Sequence, residues 1–386
     1  MSGPLTGMSL VEFAGIGPVP FAGMVLSDLG ADVIRIDRIE ADDHEVSSPV
    51  ERGRRSIAVD LKTSSGRDVA RDTIRKADGL FEGYRPGVME SLGLGPDVAL
   101  AINPHLVYGR MTGWGQEGPL SDFAGHDINY IALSGALGHI GKATQAPDIP
   151  LNLLGDYGGG GMLLVVGMLA GLLEAAKSGC GQVIDAAMVD GVAQLMAAAC
   201  GIMAQGHWEA ERGENLLDGG APFYGVYETA DHRYISIGTI ERRFHEQLAR
   251  LAGIPFESLH DRMDRSTWPS KRRRMADLFA TRTSDEWRDL LEATDSCFAP
   301  VLTVPEAARH PHLVSRSTYV HADGVLQPAP APRFSRTPVR MGAKGPRIGE
   351  HTVEVLVSLG YDTERIRALS EGAVVRVASD VNNLRA

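Results

Sequence analysis

The sequence predicts an α/β protein in which a large domain with a parallel sheet is followed by a smaller α+β domain. Three observations support this fold class. Strand-like runs alternate with helix-like segments through the first half of the chain, which is typical of βαβ units. The chain has 386 residues, more than a single hydrophobic core usually serves. A polar, Gly-rich stretch at 205–222 separates the two halves.

The first βαβ unit gives the clearest pattern. Residues 9–13 predict a strand, residues 14–18 a turn, residues 20–29 a helix and residues 32–36 a second strand. The turn contains Gly15 and Gly17, which begin a dinucleotide-binding fingerprint, but Pro20 stands where the third glycine is expected. A partial fingerprint is a weak signal, so we predict no nicotinamide cofactor.

The later elements follow the same two periodicities. In chain order they are a helix at 66–76, strands at 79–84 and 106–111, a helix at 157–176, a strand at 182–185, a helix at 187–204, a β-hairpin at 223–237, mainly helical residues at 242–291, a Pro-rich segment at 328–338 and a helical tail at 349–369. We therefore predict a large domain at 1–204, a linker at 205–222, a small domain at 223–327 and a C-terminal segment at 328–386 that returns to the large domain.

Composition excludes several classes of protein. The net charge of −11 disfavours non-specific nucleic-acid binding, which needs a basic surface. Cys180, Cys200 and Cys297 are far apart and fit neither a zinc site nor a disulfide framework. The start of the chain has no signal-peptide pattern, and the apolar run at 162–173 is too short to span a bilayer. We expect a cytoplasmic protein with no metal, no nucleic-acid partner and no membrane insertion.

His126 and Asp156 are the strongest candidates for a catalytic pair. His126 lies in the motif GHDINY at 125–130, and Asp156 precedes Tyr157 and four glycines at 158–161. An imidazole and a carboxylate can each act as acid or base, so the pair can move a proton on and off opposite faces of one carbon. The backbone N–H of Asp127, or those near Asp156, can stabilise a developing oxyanion.

Each of these residues also has a purely structural interpretation. His126 can pack in a loop, Asp127 can hydrogen-bond locally in a turn, and Asp156 can cap a helix. The glycines favour function, because each glycine inside a helix costs about 1 kcal/mol relative to alanine. A ligand or another helix that closely approaches residues 158–161 would explain that cost.

Several basic side chains lie in predicted loops and at predicted strand ends of the first domain. They are Arg38, Arg52, Arg54, Arg55, Lys62 and Arg85. Open α/β sheets bind ligands at the carboxyl ends of their strands, and arginine suits phosphate contact. The cluster therefore predicts an anion site, beside which Tyr84 can stack on a base or simply pack.

The motifs VEFAGIGP (11–18), LGADVIR (29–35) and EGYRPG (82–87) resemble family III CoA-transferases. RMTGWGQ (110–116) and GHDINY (125–130) match the α-methylacyl-CoA racemase branch of that family, and the resemblance spans nearly the whole chain. It implies a Rossmann-like large domain and an intertwined homodimer. The active site would lie between the large domain of one subunit and the small domain of the other.

The resemblance also assigns site residues. His126 and Asp156 match the two catalytic acid/base residues, Glu241 matches a small-domain carboxylate beside the histidine, and Asp127 joins the catalytic group. Residues that match coenzyme A-binding positions are Arg38, Val59, Asp60, Leu61, Lys62, Gly83, Tyr84, Arg85, Gly125, Asn129 and Tyr130. Ser91 stands where close relatives carry arginine, so coenzyme A would bind more weakly or be held by Arg52 or Arg54.

These residues predict an enzyme that inverts the α-carbon of 2-methylacyl-CoA thioesters by two-base 1,1-proton transfer. Coenzyme A is then part of the substrate, and no other cofactor is expected. One alternative is a CoA-transferase in which Asp156 is a nucleophile and forms a covalent anhydride. His126 argues against it, since that mechanism needs no base there. A non-catalytic acyl-CoA-binding protein is a third possibility, against which His126, Asp156 and Glu241 argue.

Overall fold

The computed structural model describes residues 2–42, 48–208, 211–255 and 261–377. The chain forms two compact units. The large unit contains Met1–Ser134, Leu151–Leu195 and Ser317–Ala386, and the small unit contains Gly135–Pro150 and Met196–Arg316. The predicted boundaries were therefore wrong at three places: residues 135–150 and 196–204 belong to the small unit, and residues 317–327 belong to the large one. The predicted linker at 205–222 falls inside the small unit, and its residues 209 and 210 lie outside the described part of the chain.

The strands of the described residues are, in chain order, β1 (Ser9–Phe13), β2 (Asp32–Arg38), β3 (Arg54–Val59), β4 (Gly79–Glu82), β5 (Val107–Thr112), β6 (Gln182–Ala187), β7 (Tyr224–Glu228), β8 (Tyr234–Gly238), β9 (Phe298–Pro300), β10 (Tyr319–Ala322), β11 (Val325–Pro328) and β12 (Val375–Arg376).

The helices are α1 (Pro18–Asp28), α2 (Ser64–Arg75), α3 (Val88–Ser91), α4 (Pro96–Ile102), α5 (Asp127–Leu133), α6 (Met162–Ser178), α7 (Met188–Leu195), α8 (Ala197–Ala204), α9 (Arg242–Ala252), α10 (Trp268–Phe279), α11 (Ser284–Leu291), α12 (Val304–Ala307), α13 (Pro311–Ser315), α14 (Thr352–Ser358) and α15 (Thr363–Glu371). A π-helical segment, Leu153–Gly161, runs directly into α6.

A seven-stranded sheet organises the large unit, in the order β12-β3-β2-β1-β4-β5-β6. Strands β1 to β6 are all parallel, and β12 pairs antiparallel with β3 through Val375 and Val59. The predicted α/β class and parallel sheet are confirmed, and the C-terminal segment returns to the large unit. From β1 the chain proceeds to one side through β2 and β3, and to the other through β4, β5 and β6. The topological switch therefore lies between β1 and β4, where open α/β sheets bind their ligands.

Both faces of this sheet are covered by helices, and β1 to β5 are buried at almost every position. Val11 and Phe13 of β1 face a core shared with α2, α14 and α15. Leu10, one residue earlier, faces the opposite core, which includes Ala22 of α1 and Met168 of α6. This alternation follows from the two-residue period of a strand.

The small unit contains the three-stranded antiparallel sheet β7-β8-β9 with α9, α10 and α11. Its core includes Ile235 of β8, Leu248 of α9, Phe279 of α10 and Trp287 of α11. The predicted hairpin at 223–237 corresponds to β7 and β8. The third strand, β9, was not predicted, because three residues are too few to show a period.

The apolar helical stretch is longer than the sequence predicted. Leu153–Ser178 forms 26 consecutive helical residues, and an 18-residue window within them has a mean hydropathy of 1.7, so the stretch is long and apolar enough to cross a membrane by length and composition alone. The same test is passed by core helices of soluble proteins. Leu164, Val165 and Met168 of α6 are buried in the core of the large unit, so this stretch is a core element of that unit.

Candidate active site

A cavity of about 370 Å³ opens in the large unit at the carboxyl ends of β1, β4 and β5. Its walls come from the segments that follow those strands: residues 16–19, 83–86 and 111–114. His126, Asp156 and Tyr130 are also part of the lining. We call this space the first cavity. It brings the two predicted acid/base residues to one place at the switch point of the sheet.

His126 is the N-cap residue of α5, with extended backbone angles. Its N–H donates to Asn129 Oδ1 at 3.0 Å, and the Asn129 N–H donates to the His126 carbonyl at 2.8 Å. This reciprocal bond fixes the backbone that carries the imidazole. Asn129 was predicted to bind coenzyme A, but it does not line this cavity or the second one described below. Its observed role is to hold His126.

Asp156 lies in the π-helical segment and is held from two sides. Asn152 Nδ2 donates to Asp156 Oδ2 at 3.0 Å, and the Asp156 N–H donates to Asp127 Oδ2 at 2.7 Å. Asn152 was missed in the sequence, although it lies four residues before Asp156, the spacing of neighbours on one helix face. Gly17 passes close by: a Cβ atom there would lie 3.1 Å from Asp156 Oδ2.

Asp127 acts through its neighbours rather than facing the first cavity. Its carboxylate is buried and accepts the N–H groups of Asp156 and Gly155. Burial raises the pKa of Asp127, and these two N–H groups oppose the rise. The N–H groups of Gly155 and Asp156 are therefore occupied and cannot serve an oxyanion, which corrects the prediction for these two groups. The Asp127 N–H, in the first turn of α5, has no acceptor among the described residues.

The glycines at 158–161 are explained by neighbouring helices and not by a ligand. A Cβ atom on Gly159 would lie 2.6 Å from the Val192 nitrogen of α7. On Gly160 it would lie 3.0 Å from Met188, and on Gly161 it would lie 2.7 Å from Phe21 of α1. Real Cβ atoms do not approach this closely without displacing their neighbours. The segment that carries Asp156 is thus packed backbone-to-backbone against α7.

Gly125 and Tyr130 also have packing roles. A Cβ atom on Gly125 would lie 2.7 Å from the Tyr130 ring and 3.0 Å from Trp114. Tyr130 packs edge-on against Trp114 with ring centroids 4.7 Å apart. Both residues line the first cavity, so their predicted contact with substrate remains a prediction beside this observed packing.

A second cavity, of about 360 Å³, lies beside the carboxyl ends of β2 and β3. The predicted coenzyme A-binding residues that line it are Arg38, Val59, Asp60, Leu61, Lys62 and Tyr84. Tyr84 lines both cavities, and Gly83 and Arg85 line the first. Arg38 lies beside the Tyr84 hydroxyl, and the exposed Lys62 ammonium pairs with Glu40 at 3.2 Å. Tyr130 and Gly125 also line the first cavity, so ten of the eleven predicted binding positions lie at the two cavities, and Asn129 is the exception.

The basic residues Arg52, Arg54 and Arg55 line neither cavity, which corrects their predicted role. Arg54 and Arg55 lie on β3, a strand the sequence did not predict. Buried Arg54 pairs with Glu12 at 2.9 Å, Arg52 pairs with Asp28, and Arg55 pairs with Asp32. A buried arginine that is already paired cannot turn to a phosphate without leaving its partner unpaired.

Ser91 and Glu241 complete the predicted set. The exposed Ser91, at the end of α3, donates to the Val88 carbonyl at 2.7 Å, so it makes only a local bond. Glu241 is the N-cap residue of α9 in the small unit, and its carbonyl accepts the N–H groups of Phe244 and His245. Its side chain is exposed. The predicted position of Glu241 beside a histidine of another subunit remains a prediction.

Comparison with known proteins shows one family. The model of the CoA-transferase family III matches residues 5–352. The α-methylacyl-CoA racemase of Mus musculus is 45% identical over 374 residues, which cover 96% of this chain and 97% of that protein. The racemase of Homo sapiens is 42% identical over 373 residues, with the same coverage. A succinyl-CoA–D-citramalate CoA-transferase of Chloroflexus aurantiacus is 30% identical over 92% of this chain and 94% of its own length.

Solved structures share the fold. A CAIB/BAIF family protein from Brucella suis superposes with a TM-score of 0.78 and 25% identity, covering 93% of this chain and all of that one. Rv3272 from M. tuberculosis gives a TM-score of 0.77 at 25% identity and covers 91% of this chain and 99% of its own. The α/β architecture described above is thus shared with both.

Proposed function

The chain belongs to the CoA-transferase family III, and from that premise we propose that it inverts the α-carbon of 2-methylacyl-CoA thioesters. The racemase relatives support this class of enzyme. The observation that carries the proposal is the placing of His126 and Asp156 in the lining of one cavity. That pair supplies two proton-transferring groups of different chemistry at the switch point of the sheet.

The proposed chemistry follows from the thioester. Its carbonyl acidifies the α-hydrogen, because the charge left by deprotonation is delocalised onto oxygen as an enolate. One of His126 and Asp156 removes the proton from one face, and the other delivers a proton to the opposite face, so the centre is inverted. The unoccupied Asp127 N–H is suited to receive the enolate oxygen. Asn129 and Asn152 keep the two bases in place.

We further propose that the coenzyme A moiety occupies the second cavity. Arg38 and Lys62 supply positive charge there in an otherwise acidic chain, and arginine suits phosphate contact. Because Tyr84 lines both cavities, an extended thioester can follow it from the nucleotide end to the reacting carbon. Coenzyme A enters as part of the substrate, and the reaction requires no additional cofactor.

The assembly and location are proposed on separate grounds. Met162, Val166 and Leu173 of α6 expose 44%, 59% and 60% of their surface, an apolar stripe suited to a second copy of the chain in a homodimer. In that dimer Glu241 would reach the first cavity of the partner. Cys180, Cys200 and Cys297 are all free and exposed, which fits the reducing cytoplasm.

A CoA-transferase remains the second candidate, because transferases of the family are similar over most of the chain. In that reaction Asp156 would attack the thioester and form an acyl anhydride. His126 favours the racemase, since only the racemase needs a second proton-transferring group. The two activities differ in what they do to the α-hydrogen, and this difference defines the test.

The test is incubation of the purified protein with one enantiomer of a 2-methylacyl-CoA in D₂O. We expect one deuterium at the α-carbon by mass spectrometry and formation of the other enantiomer by chiral chromatography, without a carboxylate acceptor. His126→Ala and Asp156→Ala should each slow racemisation on the order of a hundredfold or more. His105→Ala, an exposed histidine in the same unit, should not. Transfer of coenzyme A to a free carboxylate without α-hydrogen exchange would refute the racemase.

A further inference from the structure

Three charged side chains are linked in a row next to the segment of residues 83–86, which line the first cavity and of which Tyr84 also lines the second. Glu82 is the last residue of β4 and is buried. Arg110 lies directly opposite it on β5, and the Arg110 Nε–H donates to Glu82 Oε1 at 3.2 Å. The other end of the Arg110 guanidinium meets Glu90 of α3, with Nη1 2.8 Å from Oε1 and Nη2 3.2 Å from Oε2. We call these three residues the Glu82–Arg110–Glu90 cluster.

The second oxygen of Glu82 holds the backbone of that segment. The Tyr84 N–H donates to Glu82 Oε2 at 2.7 Å. A hydrogen bond to a buried carboxylate is stronger than one between neutral groups. Glu90 follows the segment on α3, which begins after Gly87 in a left-handed conformation. Residues 83–87 are therefore tied to Glu82 at the start and, through Arg110, to Glu90 at the end.

Residues 83–87 contribute to the walls of both cavities. Among the described residues Tyr84 is the only one that lines both, and Arg85 and Pro86 line the first. A small displacement of this backbone would move the walls of both cavities together. None of the three cluster residues lines either cavity, so the cluster does not itself touch a ligand placed there.

We propose that the Glu82–Arg110–Glu90 cluster is a positioning device that holds residues 83–86 where a coenzyme A thioester can occupy both cavities at once. The inference rests on the proposed function, because it assumes that the cavities hold an acyl-CoA. Glu82 is in this sense a positioning residue for the reaction and not a catalytic one.

The raised pKa of Glu82 is consistent with this positioning role. Burial raises the pKa of Glu82 to about 7, against the opposing effects of the Tyr84 N–H and of Arg110. The charged groups that face it are Arg110 on β5 and Glu90 on α3, and the Tyr108 hydroxyl of β5 also senses its charge. Protonation below about pH 7 would discharge the acceptor on which both bonds depend. The hold on the segment should then weaken as the pH falls.

The first experiment measures the binding of coenzyme A itself by calorimetry at pH 8. Glu82→Gln keeps the size of the side chain. Its amide NH₂ would face either the Tyr84 N–H or the Arg110 Nε–H, which are both donors, so one of these two hydrogen bonds is lost. We expect its Kd for coenzyme A to rise about tenfold, with a larger effect on KM than on kcat for the thioester. Asp28→Asn is the matched control, since Asp28 is also a buried carboxylate paired with an arginine, Arg52, away from both cavities. Its Kd should stay within twofold of the wild type.

Two outcomes overturn the inference: an unchanged Kd in Glu82→Gln, or an equal rise in Asp28→Asn, which would indicate a general loss of structure. If Glu82→Gln does not fold, Glu90→Gln replaces it, because the Glu90 side chain is 44% exposed. A rise in Kd of about threefold is then expected, and an unchanged value contradicts the proposal.

The pH dependence separates positioning from simple structural support. The wild-type Kd should rise between pH 8 and pH 6 more than that of Glu82→Gln, since the variant has no carboxylate to protonate; parallel curves would refute the proposal. The readout is independent of turnover. A wild type that binds coenzyme A without exchanging the α-hydrogen would refute the proposed function and leave this inference standing. A wild type that binds no coenzyme A would refute both.

Discussion

His245 is a buried histidine of the small unit with 6% of its surface exposed. Its Nδ1 lies 2.9 Å from Thr239 Oγ1, and its ring packs edge-on against Phe223. Burial, together with the charges of Arg262 and Lys271, lowers the pKa of His245 to about 4. The folded protein therefore keeps this imidazole neutral under conditions in which an exposed histidine is charged.

We expect His245 to make the protein less stable as the pH falls from about 6.5 to about 4. The unfolded chain binds the proton near pH 6.5 and the folded chain only near pH 4. The stability that neutral His245 contributes is therefore complete above pH 6.5 and is lost progressively as the pH falls from about 6.5 to about 4. Urea denaturation of the wild type and His245→Gln at pH 7.5 and pH 5 measures it. The stability advantage of the wild type should shrink by about 2 kcal/mol at pH 5. An advantage that is equal at both pH values would contradict the assignment.

Arg38 and Arg54 show how far residue type alone predicts a role. Both were predicted as anion ligands, but Arg54 is buried against Glu12 and Arg38 lines the second cavity. The sequence cannot separate them, because the partner that neutralises Arg54 lies on a different strand. The sequence did predict that His126 and Asp156 lie at one site, and both line the first cavity, whereas their catalytic roles remain a prediction. The role of Asn152 was not predictable from the sequence, because it depends on a single hydrogen bond to Asp156.

At the scale of elements, the glycines of the π-helical segment define a prediction about packing. Gly159→Ala would place a methyl group 2.6 Å from the Val192 nitrogen of α7, where backbone cannot yield easily. We expect the free energy of unfolding to fall by about 2 kcal/mol or more, and racemisation to slow because Asp156 shares the segment. The control is Gly201→Ala in α8, where an added Cβ atom would meet no described atom within 4 Å apart from the adjacent residues and the backbone of its own helix.

In Gly201→Ala the free energy of unfolding should rise by about 0.5–1 kcal/mol, the helix-propensity gain of alanine. Thermal denaturation of both variants tests the pair. Equal and small effects would mean that residues 153–161 and α7 are less closely packed than described.

The apolar periodicity predicted where these helices lie, but it did not predict their helix type or the breaks between them. The helix predicted at 157–176 exists, but its first part is π-helical and begins at Leu153. The helix predicted at 187–204 is two helices, α7 and α8, separated at Met196. Apolar spacing shows that a segment is helical, whereas its winding and breaks depend on the neighbours against which it packs. Whether a glycine faces a ligand or a helix is likewise decided by tertiary contacts.

At the scale of the whole molecule, the shared site of the proposed homodimer can be tested by complementation. His126→Ala and Glu241→Ala subunits are co-expressed with different affinity tags, and dimers carrying both tags are purified. If Glu241 serves the partner, one site of the mixed dimer collects both defects and the other is intact, so about half of the wild-type activity should return. The unmixed variants are the controls, and each must be strongly impaired.

Recovery of no activity in the mixed dimer would place Glu241 in the active site of its own subunit. An unmixed Glu241→Ala variant that keeps its activity would place Glu241 outside the mechanism. The same purification tests the assembly itself. A protein that elutes as a monomer at all concentrations would refute the homodimer.

The pairing of Val375 with Val59 sets an order for biosynthesis. Almost the entire chain must be synthesised before β12 can pair with β3. Met196–Arg316 of the small unit is continuous and is synthesised earlier. Until then the outer edge of β3 is unpaired, and such edges pair with other chains. We expect nascent chains stalled near Ser317 to resist protease only in the small unit and to need a chaperone to remain soluble. Equal protease resistance of both units in such stalled chains would show that the large unit folds without its last strand.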